Sequence, residues 1–303
     1  MTELPTVGTR VSLRYRLPRG STPPHTDVVG HLVQLVPTLR VRTRRGGVVD
    51  IAPGDVLAVR VVPEIPVRTG EIRNLEHAAA LGWPGIEQHW QEGWLFRYGL
   101  GNTRRANSAV PLRFTSYAEL SAAVDWYAAR HLPALISAPD RLFRLPAGVP
   151  VQAETLVMAG DLDCAVSAAE MTLTGRPSEV WRQVNTREIP EQVLTAVVDG
   201  QVMFGELGGL AVGRVAMTDS PDGTRWAGLS AVHVREHARG RGLARTVCSG
   251  LLNWAREAGA TRGYVQVLAA NAAARALYES MGFGVHHRSR YVHANDLLNG
   301  LLS

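Results

Sequence analysis

Residues 229–283 hold the side chains whose types and order could do chemistry. Arg239-Gly240-Arg241-Gly242-Leu243-Ala244 stands where a strand turns into a helix. The first N–H groups of a helix lack internal partners, and the helix dipole makes that end partly positive. Glycine there lets the backbone approach an anion and adopt dihedrals that other residues avoid. With Arg239 and Arg241 adding fixed charge, the turn could seat a diphosphate. It is not a Walker loop, because no Gly-Lys-Ser/Thr follows, and it lacks the G-x-G-x-x-G spacing of dinucleotide folds. Taken alone, Gly-Arg-Gly reads equally well as a solvated turn. His233, just upstream, titrates in the range useful for proton transfer. Its alternation with Val232 and Val234 equally points it to solvent or to a helix covering the sheet. Asn271 reads as a helix cap, and Tyr278 as an aromatic packed beside Leu277.

The elements that position these groups follow from periodicity. Val232 and Val234 around His233 make a half-buried strand. Leu243, Val247, Leu251, Trp254 and Ala258 recur at three- or four-residue spacing, so one helix face packs on a sheet. Gly259 is expected to end that helix in a left-handed cap. Tyr264, Val265, Val267 and Leu268 form the next strand. A short helix then runs from Asn271 to Ser280, with Ala273, Ala276, Leu277 and Met281 on its buried side. Gly282 closes it, and Phe283 returns to the sheet.

In this order the pieces resemble the cofactor-binding core of the GNAT superfamily of N-acetyltransferases. They are the strand Leu229–Val234, the turn HARGRGLA, and N-x-A-x-x-x-L-Y-E-x-x-G-F as Asn271, Ala273, Leu277, Tyr278, Glu279, Gly282 and Phe283. The family turn usually opens on Gln or Arg; here His237 stands there. The resemblance covers roughly residues 190–295. It implies an α/β (α+β) fold, the GNAT acyl-CoA N-acyltransferase fold, with a mixed, mostly antiparallel sheet. Strands Leu229–Val234 and Arg262–Leu268 would splay apart around acetyl-CoA. The pantetheine arm would run along the backbone of Val232, His233 and Val234. The pyrophosphate would sit on the amides of Arg239, Gly240, Arg241, Gly242, Leu243 and Ala244. Asn271 would bond the pantetheine, and Tyr278 would face the thioester sulfur.

The implied reaction is direct attack of a neutral amine on the thioester carbonyl. A backbone N–H of the splayed strand would hold the oxyanion. Tyr278, a phenol of ordinary pKa ~10, would protonate the leaving thiolate. The base that takes the amine proton is left open among His233, Glu206 and Glu170. Acetyl-CoA is the expected co-substrate, with no metal. The acceptor is an amino acid, a small amine or a protein lysine. The competing reading is a non-catalytic regulatory module that senses acyl-CoA or binds nucleic acid or protein.

The rest of the chain bounds these readings. Its 303 residues, 46% hydrophobic, allow two domains or one domain with a long extension. No stretch has the apolar length of a membrane span, and MTELPTVGTR carries no signal-peptide core. The two cysteines, Cys164 and Cys248, are far apart. That argues against a disulfide framework or metal knuckle and for a cytoplasmic location. All 32 basic residues are arginine and the formal net charge is +5. Base-composition bias accounts for the missing lysine. Arginine also suits phosphate contact, and a chain without lysine cannot acetylate its own lysine side chains.

Residues 1–66 read as a separate SH3-like β-barrel. Its strands are Val7–Arg16, Val28–Val36, Leu39–Arg45, Val48–Ile51 and Val56–Val62, with turns at Gly46-Gly47 and Pro53-Gly54. Arg40, Arg42 and Arg44 share one strand face. A solvated face is favoured there over a nucleic-acid surface. Small barrels also serve docking or dimerisation, which leaves a homodimer open. Val62-Pro63-Glu64-Ile65-Pro66 reads as a stiff linker. Residues 71–170 read as a degenerate GNAT-like half that walls the acceptor site, packed on a catalytic half at 171–303, with a junction at Gly160-Asp161-Leu162-Asp163. Helices are expected at Asn74–Leu81 and Tyr117–His131. Strands are expected at Trp94–Tyr98, Leu142–Leu145 and Ala168–Leu173. Arg104, Arg105 and Asn107 are candidates to touch substrate, with loop solvation and capping the alternative.

Overall fold

The computed structural model describes residues 4–43, 47–62, 66–162 and 171–300. Arg44, Arg45, Gly46, Pro63, Glu64, Ile65, Asp163, Cys164, Ala168 and Glu170 lie outside the described residues. The chain divides into two compact units, Met1–Pro66 and Val67–Ser303.

The first unit is one antiparallel sheet of β1 (Arg10–Arg16), β2 (His25–Gln34), β3 (Leu39–Thr43), β4 (Val48–Ile51) and β5 (Val56–Val61), in the order β4-β3-β2-β1-β5. Alternation builds its core. Val11 and Leu13 of β1, Val28 and Leu32 of β2, and Leu39 and Val41 of β3 turn inward with Ile51. Outward-facing arginines on these strands find carboxylates across the ladder. Arg40 Nε donates to Asp50 at 2.6 Å, and Arg14 Nε to Asp27 at 2.8 Å. Pairs of this kind neutralise part of the charge that the arginine face would offer to a polyanion.

The second unit opens with α1 (Thr69–Gly82). A small sheet follows, of β6 (Glu87–Gln91), β7 (Trp94–Tyr98) and β8 (Val110–Pro111). Next come α2 (Leu120–Ala128), β9 (Leu135–Pro139), β10 (Ala153–Asp161), β11 (Thr172–Thr174), α3 (Glu179–Val184) and α4 (Glu191–Leu194). The remainder is β12 (Gln201–Leu207), β13 (Ala211–Asp219), β14 (Arg225–Val234), α5 (Leu243–Glu257), β15 (Arg262–Leu268), α6 (Ala272–Glu279), β16 (Gly284–His293) and α7 (Ala294–Gly300).

Eight of these strands form one sheet in the order β11-β12-β13-β14-β15-β10-β16-β9. Every neighbouring pair is antiparallel except β14 and β15. A parallel pair needs a crossover, and α5 supplies it. Val247 and Leu251 of α5 are fully buried, and Leu243, Trp254 and Ala258 flank them on the same cluster as Val215 and Leu229. Gly259 follows with φ +96°, the left-handed cap.

Two expectations need correction. Residues 71–170 do not stand apart from 171–303 as a separate half. β10 lies between β15 and β16 and is laddered to both, so the sheet runs across the expected boundary. Leu142–Leu145 is not a strand; the strand is β9, and Phe143 sits in the turn beyond it. Phe143 nevertheless packs inward on Trp94, with ring centroids 5.1 Å apart, so its apolar signal came from burial in a turn.

Candidate active site

The site begins where two strands part. β14 and β15 pair at Trp226 with Arg262, Ala227 with Gly263, Gly228 with Tyr264 and Leu229 with Val265, and no further. β14 runs on to Val234 and β15 to Leu268 without pairing to each other. On its other edge β14 stays with β13, but the register shifts between Val212 and Arg214. Opposite that shift Ala231 takes φ +49°. This is a β-bulge, and a side chain in that region costs about 1–2 kcal/mol. The bulge breaks strand alternation, so Val232 and His233 both line the same cavity. That cavity measures about 770 Å³ and lies between the splayed strands, with Asn271, Ala274 and Tyr278 on its α6 side.

The glycine turn forms as expected. Gly240 and Gly242 take φ +76° and +78°, and Gly242 is the N-cap of α5 with no side-chain cap. No atom lies within 4 Å of where a Cβ would stand on either glycine, so that face of the backbone is open. Arg239 Nε donates to the Val234 carbonyl at 3.4 Å, and Arg241 Nη2 to the His237 carbonyl at 3.3 Å. The His237 side chain is exposed. Of the residues singled out from sequence, Val232, His233, Asn271 and Tyr278 meet in the cavity. Val234 and Arg239–Ala244 are not part of its lining.

Tyr278 is 5% exposed, and its hydroxyl is hydrogen-bonded to the Cys248 thiol. Burial pushes the phenol well above its ordinary value and the Cys248 thiol up to about 12, so both stay protonated at neutral pH. Burial first, and then Arg239, Arg187 and Arg235, hold the His233 imidazole below its ordinary value. It is therefore neutral at pH 7 and able to accept a proton. Asn271 Oδ1 accepts from the Ala274 N–H at 3.0 Å and caps α6. The buried side of α6 is the expected one at Leu277 and Met281 but not at Ala273 and Ala276. Ala273 and Ala276 are exposed, whereas Ala274, Leu277, Tyr278 and Met281 face the core. Small alanines exert little pull, and the large Tyr278 and Leu277 set the helix rotation.

The other candidates separate. Glu206 accepts from Ser178 Oγ at 2.6 Å on β12 and does not line the cavity. Asn107 serves the backbone: its Oδ1 accepts from the N–H groups of Gly99 and Gly101 at 2.8 and 2.9 Å. Arg104 and Arg105 do line the cavity. Arg105 Nε donates to Gln266 Oε1 at 2.8 Å and its Nη2 to the Gln266 carbonyl at 2.6 Å, on the free end of β15. Arg187, Glu188 and Tyr291 also line it and carried no sequence signal. The loop between α3 and α4 has no periodicity to announce that Asn185, Arg187, Glu188 and Ile189 come to line the cavity. Among the described residues no group of three or more His, Cys, Asp or Glu could hold a metal ion. No helix among them is long and apolar enough to cross a membrane.

Residues 69–292 match a family model described as the C-terminal part of the probable histone acetyltransferase Rv0428c, and residues 5–60 match its N-terminal Sm-like domain. The Mycobacterium tuberculosis protein named probable histone acetyltransferase Rv0428c is 43% identical over 299 residues, covering 98% of each chain. The uncharacterized N-acetyltransferase YobR of Bacillus subtilis is 25% identical over 246 residues, covering 70% of this chain and 94% of its own. Among solved structures, a GCN5-related N-acetyltransferase from Kribbella flavida aligns with a TM-score of 0.54 at 14% identity, over 76% of this chain and 96% of that one. The small barrel expected to be SH3-like is thus of the Sm-like kind. The parted strands, the glycine turn at the head of α5 and these matches lead to one conclusion: the chain belongs to the Rv0428c family of GNAT-type acetyltransferases, acyltransferase enzymes with an Sm-like N-terminal domain.

Proposed function

We propose that the chain moves an acetyl group from acetyl-CoA to a primary amine by direct attack in a ternary complex. The observation that carries this reading is the end of β14–β15 pairing at Leu229 and Val265, with Tyr278 and His233 on the cavity that opens beyond it. Past Leu229, the β14 edge has no ladder partner on the β15 side and can receive an extended amide arm as an added strand. Unpaired N–H groups at the head of α5 suit a pyrophosphate, with Arg239 and Arg241 beside them.

In this reading His233 takes the proton of the incoming ammonium, directly or through water. The amine nitrogen then bonds to the thioester carbon, and an N–H of the bulged strand holds the oxyanion. As the C–S bond breaks, the electron pair leaves with sulfur and the Tyr278 hydroxyl supplies its proton, and the surplus proton on the new amide nitrogen returns through water to the phenolate. A positioned acid of this kind contributes about 10²–10⁴-fold. Tyr278→Phe should lower kcat at least tenfold, read by thiol release over a panel of amines and protein lysates. Its acetyl-CoA Kd, read by calorimetry, should stay within about twofold of the parent. An unchanged kcat would remove Tyr278 from the chemistry. The name of the M. tuberculosis relative places lysine-bearing proteins in the panel beside small amines.

A further inference from the structure

The cavity lining has a charge pattern that the donor does not require. Arg104, Arg105 and Arg187 all line it, against a single carboxylate, Glu188. They come from separate parts of the chain: the turn after β7, and the loop between α3 and α4. Among the described residues, neither Arg104 nor Arg187 is paired with a carboxylate. Arg105 is fixed by its two bonds to Gln266 on the free end of β15. The arginines also sense one another and the site. Burial first, and then charges that include Arg187, hold both the Arg105 guanidinium and the His233 imidazole below their ordinary values.

Arg104 and Arg187 are exposed, so solvent holds their charge until an anion joins them, and a concave lining focuses the field of such cations. The diphosphate seat at Gly240–Ala244 is not part of this lining, so the cavity cluster is a second positive centre. The acceptor nitrogen must reach the space between His233 and Tyr278. The remainder of the acceptor then extends along the wall that carries the arginines.

We propose that the acceptor is a primary amine that also bears a carboxylate, which Arg187 and Arg104 hold while Arg105 keeps the wall in place. The inference rests on the acetyl-transfer reading and gives it a substrate class. A lysine-rich segment would bring further cations against three arginines, so the cavity disfavours it. Guanidinium groups hold carboxylates in paired, planar geometry, which orients the amine as well as binding it.

The test uses the full chain and α-amino acids, each beside its methyl ester, with a lysine-rich peptide as the cationic arm. Binding is read by calorimetry on protein saturated with CoA, and turnover by thiol release with acetyl-CoA. At least one amino acid should bind and react tenfold or more better than its ester and than the peptide. Arg187→Glu should abolish that preference, and Arg187→Gln should reduce it, with acetyl-CoA affinity within twofold. Preference for esters or for the peptide would overturn the proposal. So would an Arg187→Gln variant that loses acetyl-CoA affinity instead, since the cluster would then serve the donor. Carboxylate-dependent binding without thiol release from any amine would sink acetyl transfer and leave the anion site standing. Thiol release indifferent to the carboxylate would do the reverse.

Discussion

At the scale of single residues, the protonation states of His233 and Tyr278 are opposite and complementary. Burial and three arginines keep His233 neutral, and burial beside Cys248 keeps the Tyr278 phenol protonated. A base acts only when deprotonated, so its activity rises with pH through its own pKa. For His233 that value lies below the ordinary ~6.5. We predict an acid limb in kcat/KM below pH 6.5, and loss of that limb in His233→Gln together with a rate loss of about 10–100-fold. A limb that persists unchanged in His233→Gln would assign the proton to another group. Tyr278 was legible as part of the motif, and Asn271 as a cap. His233 was ambiguous for a physical reason: strand alternation predicts one face for it, and the bulge at Ala231 delivers another.

At the scale of elements, Arg214 ties three of them together. It is fully buried on β13. Its guanidinium donates to the carbonyls of Leu194 at 2.7 Å, Gly82 at 2.9 Å and Ala196 at 3.1 Å, and to Ser230 Oγ at 3.3 Å. The first three end α4 and α1, and Ser230 is the residue before the bulged Ala231. The group also lies 4.2 Å from the Trp83 ring centre. No carboxylate is among these partners, and burial pulls the guanidinium down to about 9. Removing such a group strands several buried carbonyls and opens a cavity. Arg214→Ala should therefore lose about 3–5 kcal/mol, read from the denaturant midpoint. Lysine should not restore it, because a point charge cannot span four acceptors. A loss under 1 kcal/mol would mean that the helix ends hold without the clamp. Periodicity revealed α5 and β14 but not this tie, since an arginine alternating on a strand reads as a solvated side chain.

At the scale of the whole molecule, every residue lining the cavity belongs to Val67–Ser303, and the first unit has its own core of Val11, Leu13, Leu32 and Val41. Residues 67–303 alone should therefore bind acetyl-CoA with a Kd within about twofold of the full chain, read by calorimetry. A tenfold loss would tie the Sm-like unit to the donor site. The eight-stranded sheet also explains why residues 71–170 resisted reading. Its strands β9 and β10 lie far in sequence from their partners β15 and β16, and no local pattern specifies a partner more than 100 residues away.

By itself the sequence determined what depends on local order. Glycines placed the turn at the head of α5, apolar spacing placed α5 and the strands beside it, and Asn271 to Phe283 marked the resemblance to GNAT chains. These are short-range properties, set by backbone freedom and by which faces shed water. The tertiary structure alone decided where pairing stops between β14 and β15 and that Ala231 bulges to turn His233 inward. It alone gathered Arg104, Arg105 and Arg187 around one cavity. Those outcomes depend on strand register and on loops meeting across the sheet, where groups distant along the chain become neighbours in space.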